Sequence, residues 1–189
     1  MGKVVVSEFV TLDGVMEDPG GAESFEHGGW SFQFERGPEG DRFKLDEVMA
    51  GDALLLGRVT YEGFAAAWPS MTDEVGFADK MNSMPKYVVS TTLEDASWDN
   101  STIIRDNVAD EVRRLKEELG GDILVAGSRQ LAHFLAREGL VDEYRLMVSP
   151  IVLGSGKRLF DDESALQKLR LTDSFTSGDG VVTLTYEVA

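Results

Sequence analysis

The chain has 189 residues, no cysteine, and 34 acidic against 18 basic side chains, for a formal net charge of −16. That charge repels phosphate backbones and argues against nucleic-acid partners, and the absence of cysteine excludes disulfides, thiolate metal sites and thiol nucleophiles. No apolar run approaches the roughly 18 residues of a membrane span and the N-terminus lacks a secretory h-region, so one soluble, cytoplasmic domain with a substantial core is expected.

Residues 3–11 (KVVVSEFVT) form an apolar, β-branched run that predicts a central strand. Residues 12–40 then carry seven glycines and two prolines, with Phe25, Trp30, Phe32 and Phe34 among them. A floppy linker does not need those aromatics, so this long connection is expected to be a lid or pocket wall. Helices are predicted over 41–51 and 58–68, on either side of a short buried strand at 53–57. A further helix over 73–84 is ended by Pro85, and strands follow at 86–91 and 101–106. The clearest helix is 107–121: Val108, Val112, Leu115 and Leu119 make an apolar stripe, Asn107 can cap it and Gly120-Gly121 can end it.

The next strand, 122–127 (DILVAG), leads into a helical pattern at Leu131, Phe134 and Leu135 that ends at Gly139. Residues 143–154 are extended, with Pro150 marking a bulge or edge position. Residues 171–189 make two strands around a Ser-Gly-Asp-Gly turn. Strands alternating with helices through residue 140 predict a mostly parallel sheet covered on both faces, to which the hairpin adds antiparallel strands.

Ligands of such sheets bind outside the carboxyl ends of the strands. Two strands here end in glycine followed by a polar residue, Gly57-Arg58 and Gly127-Ser128. Either glycine alone is ordinary turn chemistry. Their recurrence points to an anion held by the free amides at a helix start. Other motifs fail. LGSGKR (153–158) lacks the glycine and hydroxyl of a phosphate loop and the third glycine of a dinucleotide fingerprint. There is no GxSxG elbow. His27 and His133 lack zinc-site spacing, so no metal is expected.

The segments LLLGRVTYEGF (54–64), KYVVSTT (86–92) and ILVAGSRQLAHFL (123–135), in that order, resemble the dihydrofolate reductase superfamily. They are closest to the branch containing the reductase domain of bacterial riboflavin biosynthesis and its stand-alone relatives. SEFVTLDGVME (7–17) is similar to that branch's opening, and SPIVLGSGKRLF (149–160) to its late loop. The resemblance spans nearly the whole chain and implies an α/β, dihydrofolate reductase-like three-layer sandwich. It also implies NADPH as cofactor. Gly57, Arg58 and Thr60 would face its phosphates, Ser90 and Thr91 its 2′-phosphate, and Gly127 and Ser128 its diphosphate. The family usually has a second glycine where Ser128 stands. On the substrate side the resemblance implies Asp13, and Trp30 or Trp68 could stack on a flat ring. Asp41 and Asp46 lie near the family's acidic position, but nothing chooses between them, and the catalytic acid is left unassigned.

The expected activity is hydride transfer from NADPH to a flat nitrogen heterocycle or ribosyl-amine, a riboflavin-pathway pyrimidine first and a pterin next. Two alternatives stand beside it: a nucleotide-binding scaffold that has lost the chemistry, and reduction of a different carbonyl or drug substrate. Antiparallel terminal strands leave an edge that a second copy could pair with, so a homodimer is expected.

Overall fold

The computed structural model describes residues 1–189. One sheet runs through it, built from β1 (Val4–Thr11), β2 (Gly51–Gly57), β3 (Lys86–Val89), β4 (Ser101–Ile104), β5 (Asp122–Val125), β6 (Glu143–Ser149), β7 (Leu169–Ser177) and β8 (Val181–Val188). Their spatial order is β4-β3-β2-β5-β1-β6-β8-β7. Every pairing from β4 to β6 is parallel, and β8 pairs antiparallel with both β6 and β7. The helices are α1 (Gly37–Ala50), α2 (Arg58–Ala67), α3 (Phe77–Ser83), α4 (Val108–Glu118) and α5 (Arg129–Arg137). None is long and apolar enough to cross a membrane.

Side chains alternate across a strand, so β1 feeds two cores. Val4, Val6 and Val10 join Leu55, Ile123 and Val125, and Val112 and Leu115 of α4 and Leu131 and Leu135 of α5 pack onto them. Val5 joins Leu54, Leu56 and Leu124, covered by Val48 of α1, Tyr61 of α2 and Met81 of α3. Burial on both faces is why these strands are continuous apolar runs rather than alternating ones. Each fully buried Leu, Ile or Val contributes about 1.5–3 kcal/mol relative to exposure.

All the expected elements are present, with shifted ends. The helix expected over 73–84 begins only at Phe77. The Asp73 carboxylate accepts the amides of Val75, Phe77 and Ala78 and turns the chain before the helix starts. Asn107 stands at the N-cap of α4 with φ 49° and makes no side-chain bond to the helix. Strand β6 stops at Ser149, so Pro150 ends the strand instead of bulging it.

Two docking arrangements fix the outer loops. The turn between β7 and β8 sits on the start of α1: the Asp179 amide donates to Glu35 O at 2.8 Å, and the Glu35 amide donates to Asp179 Oδ2 at 2.8 Å. The root of the glycine-rich segment is joined to the loop after β6. The Leu12 amide donates to Ile151 O at 2.9 Å, Met16 to Lys157 O at 2.8 Å and Leu159 to Gly14 O at 3.0 Å. Further along the segment, the buried Asp18 carboxylate accepts the Glu23 and Phe25 amides.

Candidate functional site

Strand β5 is short, and its length creates the site. It pairs with β1 only from Val4↔Ile123 to Val6↔Val125, and with β2 only as far as Leu54↔Leu124. Its neighbours run on: β1 continues beside β6 to Thr11↔Ser149, and β2 beside β3 to Gly57↔Val89. Above Val125 the sheet therefore has a notch between β2 and β1, at the carboxyl ends of the strands where open α/β sheets bind ligands.

Four of the residues singled out in the sequence meet at this notch. The Gly57 amide donates to Gly127 O at 3.2 Å. A β-carbon at Gly57 would lie 2.5 Å from Ser128 Oγ, and one at Gly127 would lie 2.6 Å from Thr60 Oγ1. Gly127 has φ +104°, a conformation open to glycine, and the Gly127-Ser128 peptide is cis. Ser128 is the N-cap of α5, its Oγ accepting the Leu131 amide at 3.4 Å. The result is a pair of glycine backbones packed against the Ser128 and Thr60 side chains, at the amide end of a helix.

The other expected residues are placed differently. Arg58 is exposed at the start of α2 and pairs with Glu62 at 2.9 Å, one helical turn on. Ser90 is buried and its hydroxyl accepts the Thr92 and Leu93 amides, closing the turn after β3, whereas Thr91 is exposed. Trp30 is fully buried and donates its indole N–H to Glu17 O at 2.9 Å, so it is a core residue of the glycine-rich segment rather than an exposed ring face. Trp68 stacks on Phe77 with ring centroids 5.4 Å apart. Asp13 Oδ1 accepts Thr11 Oγ1 at 2.6 Å and the Leu153 amide at 3.2 Å, and Oδ2 accepts the Gly154 amide at 2.8 Å. Burial pushes the Asp13 carboxyl up, but these hydrogen bonds outweigh it and hold the group below its ordinary range. Asp41 and Asp46 are exposed partners of Arg36 and Arg42 on α1 and do not enter the notch.

The sequence signature of the RibD C-terminal domain matches residues 2–183. The chain belongs to the RibD C-terminal domain family. It is 32% identical over 188 residues to the uncharacterized protein YyaP of Bacillus subtilis strain 168, covering 97% of this chain and 94% of the relative. Among solved structures, a Shewanella sp. PV-4 protein assigned to riboflavin biosynthesis superposes with a TM-score of 0.77 at 20% identity, over 99% of both chains. Dihydrofolate reductase of Enterococcus faecalis, complexed with NADP(H), superposes with a TM-score of 0.64 at 12% identity, over 99% of this chain and 96% of that one. The fold is thus dihydrofolate reductase-like, as the sequence predicts.

Three charged features of this RibD C-terminal domain were not read from its sequence. Glu8, on β1, is buried beside the notch, and its Oε1 has no hydrogen-bond partner. Burial raises its pKa to about 8, against the pull of Lys44 and the Gly127 amide and with the repulsion of Glu47 and Glu23. On the opposite sheet face, Lys44 of α1 bonds Ser7 Oγ at 2.9 Å and pairs with the buried Glu47, which also faces Arg145 at 3.7 Å. Arg105, just past β4 and beside the Ser90 turn, is an exposed guanidinium with no carboxylate partner. Glu8 had a visible signal, a charge inside the apolar run VVVSEFV. The other two depend on packing between distant segments.

The Gly57 and Gly127 backbones lie so close to Ser128 and Thr60 that a β-carbon at either would clash, and the start of α5 beside them offers helix N-terminal amides.

Proposed function

We propose that this chain binds NADPH across the notch and reduces a flat, nitrogen-rich heterocycle or ribosyl-amine, a riboflavin-pathway pyrimidine first and a pterin next. The observation that carries this reading is the convergence of Gly57, Thr60, Gly127 and Ser128 where β5 stops short. The riboflavin assignment of the Shewanella protein and the NADP(H) complex of the Enterococcus faecalis enzyme support it.

Gly57, Thr60, Gly127 and Ser128 would hold the diphosphate against the start of α5, whose dipole favours negative charge. Arg58, Ser90 and Thr91 would take the adenosine end and its 2′-phosphate, with Arg105 adding a guanidinium that bonds only the Glu94 carbonyl and no carboxylate. Bound NADPH supplies the hydride. The chain supplies orientation and exclusion of water. Asp13 and Trp30 act on the substrate side by fixing the wall built from residues 12–40, the first through the loop at Leu153 and Gly154 and the second through Glu17.

Titration with NADPH and with NADH, followed by the emission of the three tryptophans, tests the cofactor. NADPH is expected to bind tighter. Equal affinities would remove the 2′-phosphate role of Ser90 and Thr91, and binding of neither would remove the reductase reading. A panel of pyrimidines and pterins then tests the chemistry: NADPH binding without its oxidation would favour a scaffold.

A further inference from the structure

Glu8 lies on the part of β1 that has lost its β5 neighbour. Pairing ends at Val6↔Val125, and Gly127 is two residues past Val125 as Glu8 is two past Val6. The residue is 9% exposed, and its Oε1 is sealed from solvent without a hydrogen-bond partner. A buried carboxylate left unpaired costs several kcal/mol, so the group rests neutral near pH 7, with a proton to give.

The charges that act on Glu8 come from three sides: Lys44 and Glu47 from α1, Glu23 from the glycine-rich segment and the Gly127 amide from the β5–α5 turn. Other charges nearby are engaged elsewhere. Arg145 of β6 pairs in register with Ser7, on the other face, and binds Glu143, Asp122 and Glu47. On α5, Arg129 is held by Asp161 and Glu163, and the His133 ring bonds Leu159 O. No arginine or lysine makes a direct ion pair with Glu8.

The strand order fixes what Glu8 faces, given the cofactor placement proposed above, on which this inference rests. Adenosine would lie over the ends of β3 and β2, beside Arg58, Ser90 and Thr91, and the diphosphate over β2 and β5, at Gly57 and Gly127. The molecule's other end must then continue in the same direction, over the unpaired edge of β1. The nicotinamide ring would then reach the stretch of β1 that holds Glu8.

We propose that Glu8 is the proton donor of this site: a buried carboxylic acid that protonates a substrate nitrogen as hydride reaches the adjoining carbon, and then, as a carboxylate, faces the oxidised nicotinamide ring. The step balances. A C=N bond gains hydride from NADPH at carbon and a proton from Glu8 at nitrogen, giving CH–NH, NADP⁺ and the Glu8 carboxylate. Release of products and uptake of a proton from water restore the acid. The positive charge on the oxidised ring offsets the buried carboxylate that the proton transfer leaves behind.

This charge coupling is measurable without a substrate. NADP⁺ carries a cationic ring and favours ionised Glu8, whereas the reduced ring of NADPH is neutral. Binding of NADP⁺ should therefore release protons and tighten as pH rises, until Glu8 is ionised in the free protein as well. The ratio of the NADP⁺ and NADPH dissociation constants, followed by tryptophan emission from pH 6.5 to 9, cancels the titration of the 2′-phosphate that both share. The ratio is expected to fall roughly tenfold in the wild type, for a one-unit lowering of the Glu8 pKa by the cation, and to stay flat in Glu8→Gln. Both cofactors binding with a pH-independent ratio, or the same fall in Glu8→Gln, would overturn the role of Glu8 and leave the cofactor reading standing. Binding of neither would overturn both. If Glu8→Gln does not fold, proton release by the wild type in weakly buffered solution at pH 7 decides: NADP⁺ should release more protons than NADPH, and equal release would overturn the assignment.

Discussion

The two notch glycines are required for different reasons. Gly127→Ala meets both a φ of +104° and Thr60 Oγ1 at 2.6 Å, so it should cost about 1–3 kcal/mol of stability and remove NADPH binding. Gly57 has φ −74°, which any residue adopts. Gly57→Ala instead meets Ser128 at its Oγ, 2.5 Å away, at its Cβ, 2.9 Å, and at its backbone N, 3.1 Å, so the start of α5 must shift and both stability and cofactor binding should fall. Urea unfolding and cofactor titration of both variants check this, and wild-type stability in either would contradict it. Glu8 makes a separate prediction for the free protein. Its folded pKa, about 8, lies above its ordinary 4.5, so the native state keeps a proton that the unfolded chain releases between those values. That contribution is complete below pH 4.5 and is lost as pH rises through 8. The urea midpoint should therefore fall more steeply between pH 5 and 8 in the wild type than in Glu8→Gln, and parallel slopes would refute the buried acid. At this scale the sequence showed the glycines, because each ends an apolar run before a helix. It did not show that Trp30 is buried within the glycine-rich segment, since burial is settled by segments that pack together, or that the Arg58 rotamer turns to Glu62 one helical turn on.

Element types were legible from periodicity, and element ends were not. Asp73 shortens α3 by taking amides that the periodic pattern assigned to the helix. Those bonds hold the Asp73 carboxyl below its ordinary range, so their contribution is present at neutral pH and is lost on acidification through that range. Asp73→Asn should lower the melting temperature at pH 7 and change it little at pH 3. An equal loss at both would show that the charge is not needed. The β7–β8 turn makes a sharper case. A β-carbon at Gly178 would lie 1.7 Å from Glu35 O, on a residue with φ +53°. Gly178→Ala must detach the hairpin from the start of α1 or move α1, and a loss of about 1–3 kcal/mol is expected in urea unfolding. A variant as stable as the wild type would mean that this docking contributes nothing. The sequence placed the turn at Ser-Gly-Asp-Gly, but its partner is Glu35, more than a hundred residues away. The early end of β5, which opens the notch, was hidden in the same way: DILVAG stays apolar to Ala126, and only the pairing partners show where the ladder stops.

For the whole molecule, the parallel sheet with its terminal antiparallel hairpin followed from the alternation of elements, whereas the strand order needed the structure. A net charge of −16 makes self-repulsion a global term that salt screens. The melting temperature should rise from low salt to molar potassium chloride, and a fall would show that surface ion pairs dominate instead. The homodimer expected from the free sheet edge meets a specific obstacle. Edge strand β7 has a register shift between Leu171 and Asp173 and exposes Arg170 and Asp173, features that discourage strand addition. Sedimentation at micromolar concentration decides, and a monomer would remove the dimer. The joined loops beyond β1 and β6 carry one more implication. Thr11 and Ser149 are adjacent partners at the last rung of their ladder, and the chain segments leaving them are bonded to each other at Leu12, Met16 and Leu159. Any outward motion of one segment must swing both together about that rung, so their amides should lose protection from deuterium in step rather than one loop before the other.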